Sequence, residues 1–480
     1  MPRVTYPSRL EQKVLSSEAP GGAPVHVELV APTIAASGVP FSLRVAVSDD
    51  VWLPSLACGR ELAITDESGA ELARVAFEAG SPAVAVIEDV TVQGDGFHRF
   101  AVELDGTTFH SNPVRVSANG TRNVYWGDPH VHTVLSNCHP DRCRSLNFCF
   151  TSGRYLTCLD FVGAADHVSN GRCEKSKWKE ERTVADLYND EGSFVTLPAY
   201  EASFKGMAGG DNNVYMRVWP DMFVDDFDEG TVKTMAEKLK ERLPPEDFFI
   251  VPHHTTRTGK HGEIPDEIYL GADLLPVIEI HSRWGTSEYR GNPEPLEKIH
   301  PGPSYAVDLL NRGMKFGFIA GTDTHCTIPS GWGTEHLTRS PGFTAVFAPK
   351  LTRDEIYHGI RNRRCYATKG ERIYLDAKLD GASDDRMLSS ADAARRVVSG
   401  VVAGKSDVTS VELIRNGETL AEQKLDTWHG AFEFADDVPF DEIAMDSKYV
   451  GRFAYYYVRA NCASGAKAWS SPWWMVDGQG

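Results

Sequence analysis

The sequence lacks several patterns that identify common classes of protein. No run of apolar residues approaches the ~18 that a membrane-spanning helix needs. No Walker phosphate-binding loop, dinucleotide fingerprint or Gly-x-Ser-x-Gly nucleophile motif occurs. Basic residues are also too few for a general nucleic-acid or anionic-membrane binder, because the net charge is −18. We therefore expect neither a nucleic-acid partner nor a membrane partner.

Paired cysteine motifs are missing as well. The nine cysteines include no CxxC pair, which argues against a structural zinc site built from thiolates. The first residues of this 480-residue chain contain no apolar core for a signal peptide, so we expect reduced thiols and a cytoplasmic protein. Five cysteines lie close together: Cys138, Cys143, Cys149, Cys158 and Cys173. They could make a nearby site redox-sensitive, or they could be small buried residues.

The spacing of apolar residues divides the chain into three parts. Residues 1–120 contain short alternating runs separated by Gly, Pro, Ser and Asp, which predicts a β-sandwich-like domain. Residues 121–370 alternate strand and helix patterns, which predicts an α/β domain with a parallel sheet. Residues 371–480 return to alternating runs around the turn Asn416-Gly417, which predicts a second β-domain.

The middle part contains enough strand candidates for a barrel. They are 123–126, 159–164, 194–197, 248–251, 275–280, 316–319 and 343–347. Helical periodicity lies between several of them, at 184–189, 231–243, 305–312 and 352–364. Thr352 followed by Glu355 is typical of a capping box at the start of the last helix.

Polar residues able to bind metal follow the strand candidates. His130 and His132 are two residues apart on extended backbone, so both imidazoles lie on one side and could hold one ion. The pair alone is weak evidence, but the later strands end in the same way. Their candidates are Asp166, His167, Glu201, His253, His254, Glu279, His281, Asp323 and His325. In a (β/α) barrel the carboxyl ends of the strands meet at one face, so we expect these residues to converge.

The candidate ligands are imidazoles and carboxylates. This mixture favours Zn, Mn or Fe, and it exceeds the four ligands of one tetrahedral ion. We therefore expect two or three divalent ions that share a carboxylate, with Glu201 as the bridge because a carboxylate has two oxygens. Such a centre is typical of hydrolases.

The ordered motifs resemble those of the PHP superfamily, named for polymerase and histidinol phosphatase. They are WGDPHVHT (126–133), AADH (164–167), PAYE (198–201), PHH (252–254), EIHS (279–282) and GTDTH (321–325). The resemblance covers residues 121–370. Within the superfamily the chain is similar to a branch whose barrel ends in a YATTG-RI-like segment, here 366–373, and whose terminal β-domain closes on a segment like 469–473. The resemblance implies a distorted (β/α)7 PHP-type barrel with a di- or trinuclear Zn, Mn or Fe centre, flanked here by N-terminal and C-terminal β-sandwich-like domains.

The resemblance also implies a role for individual residues. The first ion would be held by His130, His132, Glu201 and Asp323, the second by Glu201, His253 and His281, and the third by His167, His325 and one residue of the loop after His132. That loop departs from the family pattern, which has an acidic or histidine ligand there. Here it reads Asn137-Cys138-His139, so His139 could substitute, Cys138 could bind as a thiolate, or the third ion could be absent or weak.

Other residues near the strand ends have more than one interpretation. On a continuing strand His253 and His254 would point in opposite directions, so His254 could be an acid or a substrate contact. Glu279 shares a face with His281 and could replace or assist it. Three basic residues lie just past strand ends, where they could meet an anionic substrate: Arg257, Lys260 and Arg283.

The ligand residues predict a metal-dependent hydrolase, and the resemblance implies that its substrate is a small phosphoester, either a monoester or a diester. A metal-bridging hydroxide would attack phosphorus, and the substrate would be a small anionic molecule. Hydrolysis of an amide, a lactone or another carbonyl compound by the same centre is one alternative. A non-catalytic metal-binding or carbohydrate-binding protein is another, although a complete ligand set argues against it. The sequence leaves the oligomeric state open.

Overall fold

The computed structural model describes most of the chain. The described residues are 2–117, 122–168, 174–204, 209–224, 230–258, 264–299, 302–331, 340–382, 387–389 and 394–477. Within these ranges, no helix combines the length and the apolar character needed to cross a membrane.

The N-terminal part folds into small sheets. Its elements are β1 (Arg3–Thr5), α1 (Arg9–Glu18), β2 (His26–Val30), β3 (Ile34–Ala35), β4 (Phe41–Ser48), β5 (Glu61–Thr65), β6 (Glu71–Ala76), β7 (Val84–Val90), β8 (Gly96–His98), β9 (Ala101–Leu104), β10 (Thr107–His110) and β11 (Val114–Val116). The sheet orders are β1-β7-β4-β2, β10-β9-β5-β6 and β3-β11-β8. Alternate residues of β4, namely Leu43, Val45 and Val47, enter one shared apolar core, as the two-residue period of a strand predicts.

The middle part contains both strands and helices. Its elements are β12 (Asn123–Val131), α2 (Leu146–Tyr155), β13 (Phe161–Ala164), α3 (Lys175–Tyr188), β14 (Val195–Leu197), β15 (Ala199–Ser203), β16 (Asp211–Met216), α4 (Val232–Lys240), β17 (Phe248–Pro252), β18 (Val277–Ser282), β19 (Gly285–Thr286), α5 (Ala306–Asn311), β20 (Gly317–Ala320), β21 (Gly342–Ala348), α6 (Arg353–Arg361) and β22 (Cys365–Lys369). Each of the seven strand candidates overlaps an observed strand. Thr352 caps α6 by accepting a hydrogen bond from the backbone of Glu355.

The predicted (β/α)7 barrel is wrong. A barrel of that kind needs each strand to pair in parallel with both neighbours until the ring closes. Here β12 pairs in parallel with β13 but antiparallel with β21, and β16 pairs antiparallel with both β15 and β17. Among the described residues no hydrogen-bonded ladder joins β17 to β18 or β20 to β21. In a barrel one edge of β21 would pair with β20. That edge pairs with β22 instead.

The C-terminal strands continue the sheet of the middle part. Their elements are β23 (Tyr374–Leu379), β24 (Met387–Ser389), β25 (Arg396–Arg415), β26 (Glu418–Asp436), α7 (Phe440–Ile443), β27 (Met445–Ser447), β28 (Gly451–Cys462), β29 (Lys467–Ser470) and β30 (Trp473–Val476). The order β14-β13-β12-β21-β22-β29-β28-β25-β23 forms the main path of a 13-stranded sheet. The predicted turn Asn416-Gly417 joins β25 to β26, with positive φ at both residues as a type I′ turn requires.

A buried acid connects the middle part to the C-terminal strands. Glu288 follows β19 and is 1% exposed. Its Oε1 accepts hydrogen bonds from Arg459 Nη1 at 2.7 Å and from the Tyr457 hydroxyl at 2.8 Å. Its Oε2 accepts one from Trp469 Nε1 at 2.7 Å. Glu288 therefore pairs two buried donors and shares with Glu412, 2.6 Å from Arg459 Nε, the neutralisation of a nearly buried guanidinium.

We expect Glu288→Ala to lower the free energy of unfolding by about 1–3 kcal/mol, because the Tyr457 hydroxyl and Trp469 Nε1 would lose a buried acceptor while Arg459 keeps its bond to Glu412. Chemical denaturation measures the change. The exposed Glu297→Ala is the matched control and should change stability by less than about 0.5 kcal/mol. Equal stabilities of Glu288→Ala and wild type would contradict the assignment.

Candidate metal centre

The candidate metal centre lies where strands of the middle part end. Isolated parallel bridges hold these ends together: Val131 pairs with Thr324, and His167 pairs with Glu201. The bridges bring segments from four separate places in the sequence to one point. Most of the candidate ligands lie within or just beyond these bridged segments.

The first group of ligands is His130, His132, Glu201 and Asp323, which are all buried and offer atoms within 4.8 Å of one another. His132 Nε2 lies 2.9 Å from Asp323 Oδ1 and 3.1 Å from Glu201 Oε2. His130 Nε2 lies 3.4 Å and 3.6 Å from the same two oxygens. The four residues expected around a first ion therefore lie together.

The second group consists of Asp211, His253 and His254, again within 4.8 Å of one another. Both adjacent histidines belong to it because β17 ends at Pro252 and His254 has a left-handed backbone, with φ of 55°. The alternation of a continuing strand therefore does not apply to them. His253 Nε2 also lies 3.6 Å from Glu201 Oε1.

The third group consists of His132, His167 and His325. The ring of His132 stacks between the other two, with centroid distances of 4.4 Å to each. His167 Nδ1 lies 3.1 Å from Glu201 Oε2. The two histidines expected around a third ion thus adjoin the first group and share His132 with it.

Two carboxylates connect the three groups. Glu201 directs Oε2 toward His132 and His167 and Oε1 toward His253. Asp323 directs Oδ1 toward His132, and its Oδ2 lies 3.1 Å from His254 Nε2. Each carboxylate thus presents its two oxygens to different groups, which is the arrangement that a bridging ligand needs.

A second layer of polar groups orients the imidazoles. His130 donates from Nδ1 to Glu279 Oε2 at 3.0 Å, which leaves Nε2 facing the first group. His132 donates from Nδ1 to the Ser136 hydroxyl at 2.9 Å, and that hydroxyl donates to Asp166 Oδ1 at 2.5 Å. Ring orientation and tautomer are therefore set by the protein, as is usual for metal-binding histidines.

Gly321 permits this second layer to approach. A Cβ atom there would lie 2.8 Å from the Cβ of His130 and 3.0 Å from Glu279 Oε2. Those contacts are closer than side chains tolerate, so the position next to the His130–Glu279 pair requires glycine.

The buried charges of the centre fit a cation. His130 Nε2 and Glu201 Oε2 have no hydrogen bond of regular geometry among the described residues. Burial lowers the pKa of His132, but Asp323 and Glu201 outweigh burial and raise that pKa to about 10. Burial likewise opposes protonation of His254, whereas Asp211 and Asp323 raise its pKa to about 9. Divalent ions would take the place of these protons, and imidazoles with carboxylates are suitable ligands.

Two predicted ligands lie outside the three groups. His281 directs Nδ1 at the Thr286 hydroxyl (2.9 Å) and Nε2 at the Ser340 carbonyl (3.1 Å), so protein groups engage both ring nitrogens. A register shift between Glu279 and His281 breaks the expected common face of β18. His139 lies edge-on to His325, and its Nδ1 lies 2.9 Å from Arg142 Nη2.

The predicted anion-binding residues have different positions. Arg257 lies at the cleft beside Trp284, with its guanidinium carbon 5.3 Å from the ring centroid. Arg283 is 1% exposed and does not line the cleft. Lys260 lies outside the described residues, as does Cys173. The other cysteines of the predicted cluster form no disulfide within the described part of the chain, and three of them are buried.

Asp211 is the candidate ligand that the sequence analysis missed. It begins β16, which pairs antiparallel with β15 so that Asp211 lies opposite Ser203. Ser203 is two residues from Glu201, so Asp211 and Glu201 share one face of the hairpin. The signal in the sequence was Gly209-Gly210 before the run NNVYM, which is typical of a turn followed by a strand.

The groups open onto a cleft of about 300 Å³. Its lining residues are Cys138, His139, His167, Glu201, Ser203, Asp211, His254, Arg257, Trp284, Asp323 and His325. All three groups therefore have members that a small molecule in the cleft could reach.

Comparison with known proteins finds relatives without a stated function. No protein-family model matches the chain. An uncharacterized protein of Chlamydia pneumoniae is 28% identical over 379 residues, which cover 76% of this chain and 60% of that protein. An uncharacterized protein of Chlamydia muridarum is 27% identical over 400 residues, which cover 79% of this chain and 62% of that protein. The matched region thus spans about 60% of the length of these relatives.

Likeness to solved structures is weak. An FMN-binding β-glucuronidase from Facaelibacterium prausnitzii has a TM-score of 0.17 and 11% identity, over 95% of this chain and 74% of that one. A Salmonella α-2-macroglobulin also has a TM-score of 0.17, with 7% identity, over 96% of this chain and 24% of that one. Neither value supports an argument about fold or function.

We expect Asp211→Asn to reduce bound metal by about one equivalent, because Asp211 is the carboxylate of the second group. Elemental analysis of the purified variant measures the loss. The exposed Asp221→Asn is the matched control and should bind as much metal as the wild type. His281→Gln should also retain the full amount, since both ring nitrogens contact protein groups. If His281→Gln loses metal and Asp211→Asn does not, this assignment of ligands is wrong.

Proposed function

We propose that the protein is a metal-dependent hydrolase of small phosphoesters. The observation that carries the proposal is the set of three adjoining ligand groups, joined by Glu201 and Asp323 and open to one cleft. A site for a single structural ion would use about four ligands and would be closed to solvent. Ligand groups that share carboxylates and remain accessible instead suit catalysis.

The donor set also supports the proposal. His130, His132, Glu201 and Asp323 would hold one ion, and Asp211, His253 and His254 would hold a second beside it. When bound, such ions supply an acidified water and draw charge from the phosphoryl oxygens. The carboxylates keep the ions adjacent, and the buried second layer keeps the imidazoles in place.

Arg257 is suited to bind the substrate. It lines the cleft beside Trp284, and its Nε has no hydrogen-bond partner among the described residues. A guanidinium can bind two phosphate oxygens at once. The centroid of the Trp284 ring lies 5.3 Å from the guanidinium carbon, a cation–π contact that helps to position the guanidinium. An anionic group in the cleft would thus contact both the ions and Arg257.

The size of the cleft favours a small substrate. A volume of about 300 Å³ lies at the lower end of the range for small-molecule sites. The net charge of −18 gives no extended basic surface for a polyanion. Phosphoester chemistry is further supported by the motifs that resemble those of the PHP superfamily, and this support depends on the motifs and not on a barrel.

Turnover of a substrate panel tests the proposal. We expect the protein to hydrolyse phosphomonoesters or phosphodiesters, to lose that activity with a chelator and to regain it with Zn²⁺, Mn²⁺ or Fe²⁺. Glu201→Gln should lower kcat at least about 100-fold, because it removes the shared ligand. The exposed Glu267→Gln is the control and should retain activity. Turnover of amides or lactones alone would refute the phosphoester assignment, and metal binding without turnover of any substrate would favour a binding protein.

Glu279 should act through His130 as a positioning residue. We expect Glu279→Gln to lower metal affinity or kcat by about 10–100-fold, because a carboxylate that accepts from the far nitrogen of a ligating imidazole orients the ring and increases its basicity. Isothermal titration of the metal-free variant with Zn²⁺ measures the affinity. An unchanged affinity together with an unchanged kcat would show that the Glu279 contact has no such role.

A further inference from the structure

The chain after His132 turns back toward the ligand groups. Residues Val134–Ser136 form a short 3-10 helix, and Ser136 is fixed by two hydrogen bonds to Asp166. Asn137 then adopts a left-handed conformation with φ of 51°. This reversal places Cys138 at the wall of the cleft that contains the ligand groups.

Among the three residues of this loop, Cys138 contacts the third group most directly. It lines the same cleft as His167 and His325, and its thiol interacts electrostatically with both imidazoles and with the Cys143 thiol. Asn137 is exposed. His139 contacts the ring of His325 edge-on, while its Nδ1 faces Arg142. A sulfur atom therefore stands beside two imidazoles that already belong to a group of candidate ligands.

The third group is otherwise short of anionic ligands of its own. It consists of His132, His167 and His325, which are neutral ligands when they bind metal. Two carboxylate oxygens lie near it: Asp323 Oδ1 is 2.9 Å from His132 Nε2, and the buried Glu201 Oε2 is 3.1 Å from His167 Nδ1. Both carboxylates are shared with the first group. A thiolate would add negative charge that the third group does not share.

We propose that Cys138 is a thiolate ligand that completes a mixed nitrogen and sulfur metal site with His167 and His325. This inference rests on the proposed metal centre and specifies which ions it prefers. Thiolate is a soft ligand, so the site would select a thiophilic divalent ion such as Zn²⁺ over Mn²⁺ or Mg²⁺. The first two groups contain only imidazoles and carboxylates and carry no such preference.

Cobalt substitution tests the inference without measuring activity. Metal-free protein under reducing conditions is titrated with Co²⁺, and the near-ultraviolet absorption from thiolate-to-cobalt charge transfer is recorded. We expect the wild type to show the band and Cys138→Ser to lose it together with about one equivalent of bound metal. Zn²⁺ should displace Co²⁺ from this site, whereas Mn²⁺ should not.

Two further variants identify the sulfur. Cys58→Ser, in the N-terminal core, is the control and should keep the band. Cys143→Ser should also keep it, because the Cys143 thiol donates to the His325 carbonyl at 3.1 Å and is buried. A band that survives in Cys138→Ser, or is lost in Cys143→Ser alone, would overturn the assignment. Cys138→Asp should still bind metal at this site but without the band, and with Mn²⁺ favoured relative to the wild type.

The outcomes also separate this inference from the proposed function. Wild-type protein that takes up no metal would refute both. Metal uptake and phosphoester hydrolysis without a charge-transfer band would refute the thiolate ligand alone. A band without hydrolysis of any phosphoester would leave the thiolate ligand standing and refute the proposed function.

Discussion

The centre depends on the balance of charge around two buried carboxylates. Glu201 and Asp323 are 2% and 4% exposed, and each faces imidazoles from more than one group. Burying a carboxylate is costly unless a positive charge or hydrogen-bond donors compensate it. Burial opposes protonation of His132 and His254, but the neighbouring carboxylates raise the pKa of both imidazoles, so protonated histidines can supply that charge without metal. Cations would compensate the same carboxylates at the same places, which is consistent with the proposed metal centre.

The scaffold holds these groups through irregular backbone at strand ends. His254 and Asp323 both have positive φ, of 55° and 50°, which is uncommon outside glycine. Each turns a side chain into the centre directly after a strand has ended. Such conformations cost about 1–3 kcal/mol each and persist where the surrounding structure enforces them. The Asp166 hydrogen bonds to Thr133 and Ser136 belong to that surrounding structure.

The error in the predicted fold has a definite physical origin. Strand and helix patterns alternate in the middle part, and the predicted strands exist, but alternation does not specify which strands pair. The predicted strands did not include β15 or β16, and β16 pairs antiparallel with both β15 and β17. The pairing of β22 with β29 then joins the sheet to strands about 100 residues later in the chain. Such long-range pairing depends on side-chain packing across the sheet, which a local pattern does not contain.

The sequence by itself determined the candidate ligands of the first group and the presence of His167 and His325 near them, because their residue types and their positions after strands are local properties. Only the tertiary structure decided that Asp211 and His254 join the centre, that His281 contacts other protein groups, and that Cys138 stands beside His167 and His325. Those outcomes follow from a hairpin, a β-bulge and a left-handed turn, each of which changes the direction of a side chain without changing the residue. Direction in space, rather than residue type, separates a ligand from its neighbour in this protein.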